Sequence, residues 1–462
     1  MKYVSSRGQA PVLGFNDVLL AGLARDGGLY LPATIPVFSP DEIRSLRGMS
    51  YQEAAFRVMS PFVCPDISEH DFQDIISRAY STFRHKAVVP LSQIDSNDWI
   101  LELFHGPTLA FKDVALQLLG HLFDHILTAQ GRKVTIVGAT SGDTGSAAIE
   151  CLRGRACAEI FMLHPRGRVS EVQRRQMTTV LSPNVHNLAV DGNFDDCQAM
   201  VKALFNDLAF RDEISLSAVN SINWARVMAQ IVYYFTSAVA LGAPDREISY
   251  SVPTGNFGDI YAGHVARQMG LPIRQLIVAT NRNDILARVL TSGEYRVGTV
   301  SPTISPSMDI QVSSNFERLL YNLYDGDGSA VRRLMDNLAQ SGSFSLDAAQ
   351  LDEARQIFDA LQVSEDDTKA TISMVYEQSG LLIDPHTAVG VMAAQVKKAD
   401  PAIPMVMLST AHPAKFPDAV EAVTGQHPAL PPHMADLFDR EEKYDHLAHD
   451  LEALKACIRG NI

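Results

Sequence analysis

The sequence runs to 462 residues, 46% of them hydrophobic and 20% charged, which is enough for two or three domains or lobes with packed cores and excludes a disordered chain. Its 39 lysines and arginines against 53 aspartates and glutamates leave a net charge of -14, which argues against a nucleic acid or an anionic membrane as the main partner. The five cysteines, Cys64, Cys151, Cys157, Cys197 and Cys457, are scattered without a C-x-x-C pair, so a reducing cytoplasm is expected and a disulfide framework or zinc knuckle is not.

The opening stretch MKYVSSRGQAPVLGF lacks the apolar core of a signal peptide, and no targeting segment is expected. Up to about residue 95 the pattern is mostly helical, with segments at 15–23 and 51–59 punctuated by Gly27, Gly28, Pro32, Pro36 and Pro40. From Trp99 onward short β-rich runs alternate with helices: 134–137, 160–163, 185–190, 248–252, 275–279 and 405–408. Such alternation predicts an α/β protein with parallel sheets, here in two lobes. The most apolar run, 227–242, is interrupted by Gln230, Thr236 and Ser237 and falls short of the roughly 20 residues of a membrane span, so it reads as a buried helix. Past Pro428 a charged helix is predicted over 439–457. The pairs His121/His125 and His446/His449 have a metal's spacing but no H-E-x-x-H carboxylate, and no metal site is expected.

Three stretches carry chemistry. In LFHGPTLAFKDVALQLLG, residues 103–120, Lys112 stands where a loop meets a helix whose apolar stripe is Ala115, Leu118, Leu119, Leu122, Phe123 and Ile126. The positive helix end and the neighbouring Leu109, Ala110 and Phe111 would lower its pKa and suit it to imine chemistry. The run Gly138-Ala139-Thr140-Ser141-Gly142-Asp143-Thr144-Gly145-Ser146 after the 134–137 strand is an anion-binding turn, with glycines for close approach and hydroxyls as donors. A second such turn, Pro253-Thr254-Gly255-Asn256-Phe257-Gly258-Asp259, has no basic side chain, so it would hold a phosphate by backbone amides and disfavours a nucleotide triphosphate. A pyridoxal phosphate enzyme accounts for all three: a lysine for the imine, one turn for the cofactor phosphate and one for an amino-acid carboxylate. The strand-end hydroxyls of Ser409 and Thr410, in LSTAHPAKF, would face the same chemistry.

With those residues in hand the chain resembles the threonine synthase family, in its longer bacterial and fungal form, among the fold-type II (tryptophan-synthase β-like) pyridoxal phosphate enzymes. The resemblance rests on Tyr3 to Gly8, Asp26 to Tyr30, His105 to Asp113, Ser141 to Gly145, Gly255 to Asp259 and Ser409 to Phe416, with the segment 219–230, VNSINWARVMAQ, narrowing it further. It implies two parallel-sheet lobes and a mostly helical N-terminal domain: 1–95 accessory, 96–130 and 251–428 the large cofactor-binding lobe, 131–250 the smaller α/β lobe with the substrate-carboxylate turn, and 429–462 a helical tail. It implies pyridoxal 5′-phosphate held by Lys112 as a Schiff base, its phosphate received by Gly255, Asn256, Phe257, Gly258 and Asp259, and its pyridine nitrogen facing Thr410. Ser141, Gly142, Asp143, Thr144 and Gly145 would take the substrate carboxylate, with Asp143 standing where many relatives of the wider superfamily have asparagine.

The implied reaction is that of a carbon–oxygen lyase, in which O-phospho-L-homoserine and water give L-threonine and phosphate and Lys112 carries a proton at Cα. The implied protein is cytoplasmic, a monomer or homodimer acting on a small molecule. Arg226, Lys415, Arg166, Arg168, Ser5 and Ser6 are candidates for holding the departing phosphate. Two other readings use the same residues: a phospho-lyase or serine/threonine dehydratase of the same fold, and a non-catalytic anion-binding protein.

Overall fold

The structure, a computed structural model, describes residues 1–140, 142–217 and 221–462. The chain is an α/β protein that divides into two compact units, one made of 1–105 and 221–428, the other of 106–220 and 429–462.

In the first unit six strands form one sheet in the order Phe358–Gln362, Ile273–Thr280, Ile248–Pro253, Met405–Ser409, Asp98–Glu102 and Leu91–Asp95. All neighbours are parallel except the last pair, where Leu91–Asp95 returns antiparallel beside Asp98–Glu102. The central strands are buried on both faces, as in a sheet covered on both sides, and are mostly apolar, with Ser249 and Ser251 the buried polar exceptions on Ile248–Pro253. Helix Pro385–Lys397 supplies Ala388, Val389, Val391, Ala393 and Ala394 to the core beneath Ile277, Met405 and Met407. The expected N-terminal helices are present as Phe15–Ala21 and Tyr51–Val63, the second opened by a reciprocal capping box between Ser50 and Glu53, and a further helix, Glu69–Tyr80, follows them. They do not stand apart as an accessory domain, because Tyr3 and Phe62 pack their rings on Trp224, at the start of helix Trp224–Ala240.

The second unit holds a five-stranded parallel sheet in the order Asp445–Leu447, Val185–Val190, Ala158–Pro165, Val134–Ala139 and Leu216–Ser217. Its core runs through Val137, Phe161, Leu163, Leu188, Val190 and Leu204.

The unit boundaries differ from the expected ones in three places, each for a packing reason. Helix Lys112–Ala129 belongs with the smaller sheet, because Gly120 lets helix Asp143–Leu152 approach so closely that a Cβ there would lie 2.2 Å from the Cys151 carbonyl oxygen. Helix Trp224–Ala240 belongs with the larger sheet, where Tyr234 fills the space a Cβ on Gly263 would need. The tail is not one charged helix over 439–457. Asp445–Leu447 adds a strand to the smaller sheet, and a shorter helix, Leu451–Arg459, starts after the Asp450 cap and buries Leu454 and Ile458.

No helix among the described residues is long and apolar enough to cross a membrane. Among them, too, no group of three or more His, Cys, Asp or Glu side chains is placed to hold a metal ion.

Candidate active site

In the smaller unit the turn before Lys112 is wound around Asp113. The Thr108 amide and hydroxyl donate to its two carboxylate oxygens at 2.7 and 2.6 Å, and a Cβ on Gly106 would lie 2.4 Å from Asp113 Cβ. Leu109 takes a left-handed conformation, φ 62°, to complete the turn. Lys112 is thus delivered at the first position of its helix, only 8% exposed, with its nitrogen 5.0 Å from the centre of the Phe111 ring. Its Nζ lies 3.5 Å from Asp143 Oδ2. The other oxygen of Asp143 accepts from Gln173 Nε2 at 2.8 Å, and Gln173 Oε1 accepts from the Ser170 hydroxyl at 2.9 Å.

The turn carrying Asp143 is held from within. Thr140 Oγ1 accepts from the amides of both Gly142 and Gly145 at 2.9 Å, so those two donors are engaged by the protein itself. Gly142 has φ +147°, and a Cβ there would meet the Gln173 amide at 2.4 Å. Thr144 is half-buried in the first turn of helix Asp143–Leu152. Ser141 lies outside the described residues, as does part of the 219–230 segment.

In the larger unit, strand Ile248–Pro253 passes through a turn into helix Gly258–Gln268. The carbonyls of the turn are tied back: Gly255 O accepts from the Ser313 hydroxyl at 2.8 Å, and Asn256 O accepts from the Asn315 amide and side chain at 3.1 and 3.0 Å. Phe257 sits at φ 63° and is buried against the Phe316 and Phe358 rings. Among the described residues no acceptor meets the N–H groups of Gly255, Asn256, Phe257, Gly258 or Asp259. A Cβ on Gly255 would lie 3.0 Å from Ser307 O.

Asp259 contributes its amide alone, because its carboxylate is buried and accepts from Tyr233 and Tyr234 at 2.5 and 3.1 Å. Burial pushes that carboxyl up to about 7, against the lowering effect of the two tyrosine hydroxyls.

Thr410, nearly buried, follows strand Met405–Ser409 and spends its hydroxyl on no protein partner among the described residues. Nearby, burial and the charge of His105 push His412 down to about 4, so its imidazole is neutral, with Nδ1 accepting from the Ala414 amide.

Of the candidates for a leaving phosphate, Ser5 and Ser6 are already engaged, their hydroxyls donating to Asp26 and Glu317 at 2.7 and 2.6 Å. Arg166 is exposed and pairs with Asp191. Sequence reasoning passed over Gln173 and the pair Asp384 and His386, and read Thr140 only as part of an anion-binding turn. Only Asp384-Pro385 carried a local signal, as a helix cap followed by proline.

Comparison with known proteins decides the family. The model for the threonine synthase N terminus matches residues 2–80, that for pyridoxal-phosphate dependent enzymes matches 88–342, and that for the threonine synthase C-terminal region matches 387–458. A threonine synthase of Pseudomonas aeruginosa is 58% identical over 459 residues, covering 99% of this chain and 98% of the relative. The chain belongs to the threonine synthase family. The threonine synthase of Saccharomyces cerevisiae is 43% identical over 502 residues, covering 100% of this chain and 98% of the relative. The crystal structure of a PLP-bound threonine synthase from Brucella melitensis superposes with a TM-score of 0.98 at 57% identity, covering 100% of this chain and 99% of that one.

The residues present fit the family's cofactor. Five successive amides that meet no acceptor among the described residues suit a phosphate dianion at a helix N-terminus, and Gly255 keeps open a space that a side chain would close. A nearly buried lysine beside a carboxylate suits a group that must gain and lose a proton.

Proposed function

We propose that this chain makes L-threonine and phosphate from O-phospho-L-homoserine and water with pyridoxal 5′-phosphate, and that Lys112 is the residue that carries the cofactor. The observation that carries this assignment is the placement of Lys112 at a helix start, nearly buried and 3.5 Å from Asp143. When bound, the cofactor draws electron density from the substrate, so that protons leave and return at Cα and Cβ and the γ-phosphate departs.

The protein's own residues do the rest. The amides of Gly255 to Asp259 hold the cofactor phosphate, and the Thr410 hydroxyl faces the pyridine nitrogen. Lys112 Nζ moves the proton at Cα, and Asp143 supplies the counter-charge while that nitrogen is an ammonium. The turn 141–145 takes the substrate carboxylate through Thr144 and the helix start, while Thr140 keeps Gly142 and Gly145 in place. We place the protein in the cytoplasm as a monomer or homodimer, with no nucleic-acid or membrane partner; the net charge of -14 supports the last of these by disfavouring polyanionic surfaces.

The test is product analysis with O-phospho-L-homoserine at saturating cofactor. Threonine and phosphate in equal amounts are expected. Keto acid and ammonia would instead identify a phospho-lyase or dehydratase. For Lys112, borohydride reduction should fix the cofactor to wild type and leave Lys112→Ala unlabelled.

A further inference from the structure

Helix Pro385–Lys397 opens on a buried polar cluster that helix capping alone does not require. Asp384, 0% exposed, accepts through Oδ1 from the Thr387 amide at 3.1 Å and from the Thr387 hydroxyl. Its Oδ2 accepts from the His386 amide at 3.0 Å and lies 2.6 Å from His386 Nδ1. Two amide bonds would satisfy the helix start. The imidazole goes further. With its proton held on Nδ1 by the carboxylate, Nε2 is an acceptor, and the amide of Ser307, 79 residues away in the chain, donates to it at 3.1 Å.

Both outlets of the cluster end beside cofactor-binding segments of the same unit. Ser307 is the residue whose carbonyl oxygen lies 3.0 Å from where a Gly255 Cβ would be, so it forms the wall of the phosphate turn. On the other side Thr387 Oγ1 lies 2.9 Å from the Ser409 hydroxyl, one residue before Thr410. The ring itself is held by packing at 4.9 Å, centre to centre, against Phe416. Ser251 adds a third tie, donating to Gly390 O at 2.7 Å and so fixing this helix to the strand that leads into the phosphate turn.

We propose that Asp384 and His386 are a positioning pair, setting the phosphate turn through Ser307 and Gly255 and setting Thr410 through Thr387 and Ser409. This rests on the assignment of Gly255 to Asp259 to the cofactor phosphate. The two arms act on different ends of one small molecule, and their loss therefore has different signatures. A buried network that only held the fold together would weaken every ligand alike.

The test compares binding of pyridoxal 5′-phosphate and of pyridoxal, which lacks the phosphate, to the full chain stripped of cofactor and followed by visible absorbance. His386→Phe keeps a ring against Phe416 but removes the acceptor for Ser307. It is expected to lower affinity for the phosphorylated compound about tenfold, the effect of one hydrogen bond, with pyridoxal changed less than about twofold. Thr387→Val is expected to shift the absorbance maximum of the bound cofactor while leaving phosphate-dependent affinity within about twofold. Should His386→Phe not accumulate as folded protein, His386→Asn takes its place with the same expectations. Wild-type affinity in the His386 variant, or an equal loss for pyridoxal, overturns the inference. Failure of wild type to bind either compound sinks the cofactor assignment and this inference with it, and is seen before any variant is made.

Discussion

The side-chain nitrogen of Lys112 and Oδ2 of Asp143 lie 3.5 Å apart, both on residues less than a tenth exposed. Each stands at the first position of its own helix. A carboxylate is favoured there by the helix dipole and an ammonium is not, so the pair offsets at Lys112 what the dipole costs. Gln173 and Ser170 hold the other end of Asp143, which keeps the counter-charge still while the lysine changes state.

Asp143→Asn preserves the shape and removes the charge. Turnover is expected to fall about ten- to a hundredfold, within the range for loss of support to an acid–base group. Amine-directed modification of Lys112 in the cofactor-free protein, read by mass spectrometry at pH 8, should speed up several-fold, because the neutral amine is no longer opposed by a neighbouring carboxylate. Unchanged turnover together with an unchanged modification rate would show that the contact has no role.

Gly142→Ala tests the same support from the other side. At φ +147° an L side chain is strained, and its Cβ would come 2.4 Å from the Gln173 amide carbon. The expected result is a loss of about 1 to 3 kcal/mol of stability, together with a fall in turnover in the same direction as Asp143→Asn. A second variant, Gln173→Ala, makes room for the new methyl. If Gly142→Ala is as damaging with Gln173→Ala as without it, the collision is not the cause.

Asp259 gives the chain a pH dependence whose sign follows from burial. Its carboxyl is near 7 in the folded protein and near 4 when unfolded, so the folded state binds the extra proton between those values. The penalty is absent below about pH 4, grows as pH rises, and is complete above about 7. Its neighbours Tyr233 and Tyr234 are pushed well above the ordinary tyrosine range by burial and stay neutral throughout. Melting midpoints of wild type and Asp259→Asn, taken without cofactor at pH 5 and pH 8, should differ more in favour of the variant at pH 8. A difference that does not change with pH would mean that Asp259 does not titrate in this window.

The strand runs at 134–137, 160–163, 185–190, 248–252, 275–279 and 405–408 were legible because strands covered on both faces are rich in apolar and β-branched residues. Leu91–Asp95 and Asp445–Leu447 were not, since both are edge strands of largely polar sequence that pair because a neighbour offers its backbone. The same limit hid part of the site. The GNFG signal marks a turn, but it points to the glycines for the left-handed residue, and the structure puts that conformation on Phe257. Gln173 and His386 meet their partners 30 and 79 residues away, across contacts that no local pattern encodes. Lys112 and the two turns could be read because each combines a residue type and a helix start within a few positions.

Phe257 sets two effects against each other. A left-handed conformation costs a non-glycine residue about 1 to 2 kcal/mol, which Phe257→Gly would relieve. Removing a fully packed phenylalanine costs about 3 to 5 kcal/mol, and this ring is buried against Phe316 and Phe358 at 5.3 and 5.7 Å. Packing therefore outweighs strain by roughly 1 to 4 kcal/mol, and the variant should melt at a lower temperature than wild type. Its phosphate turn loses the anchor beneath it, so affinity for pyridoxal 5′-phosphate should fall more than affinity for pyridoxal. A variant that melts higher than wild type would mean that the backbone strain at 257, and not the ring's burial, dominates the energetics of this turn.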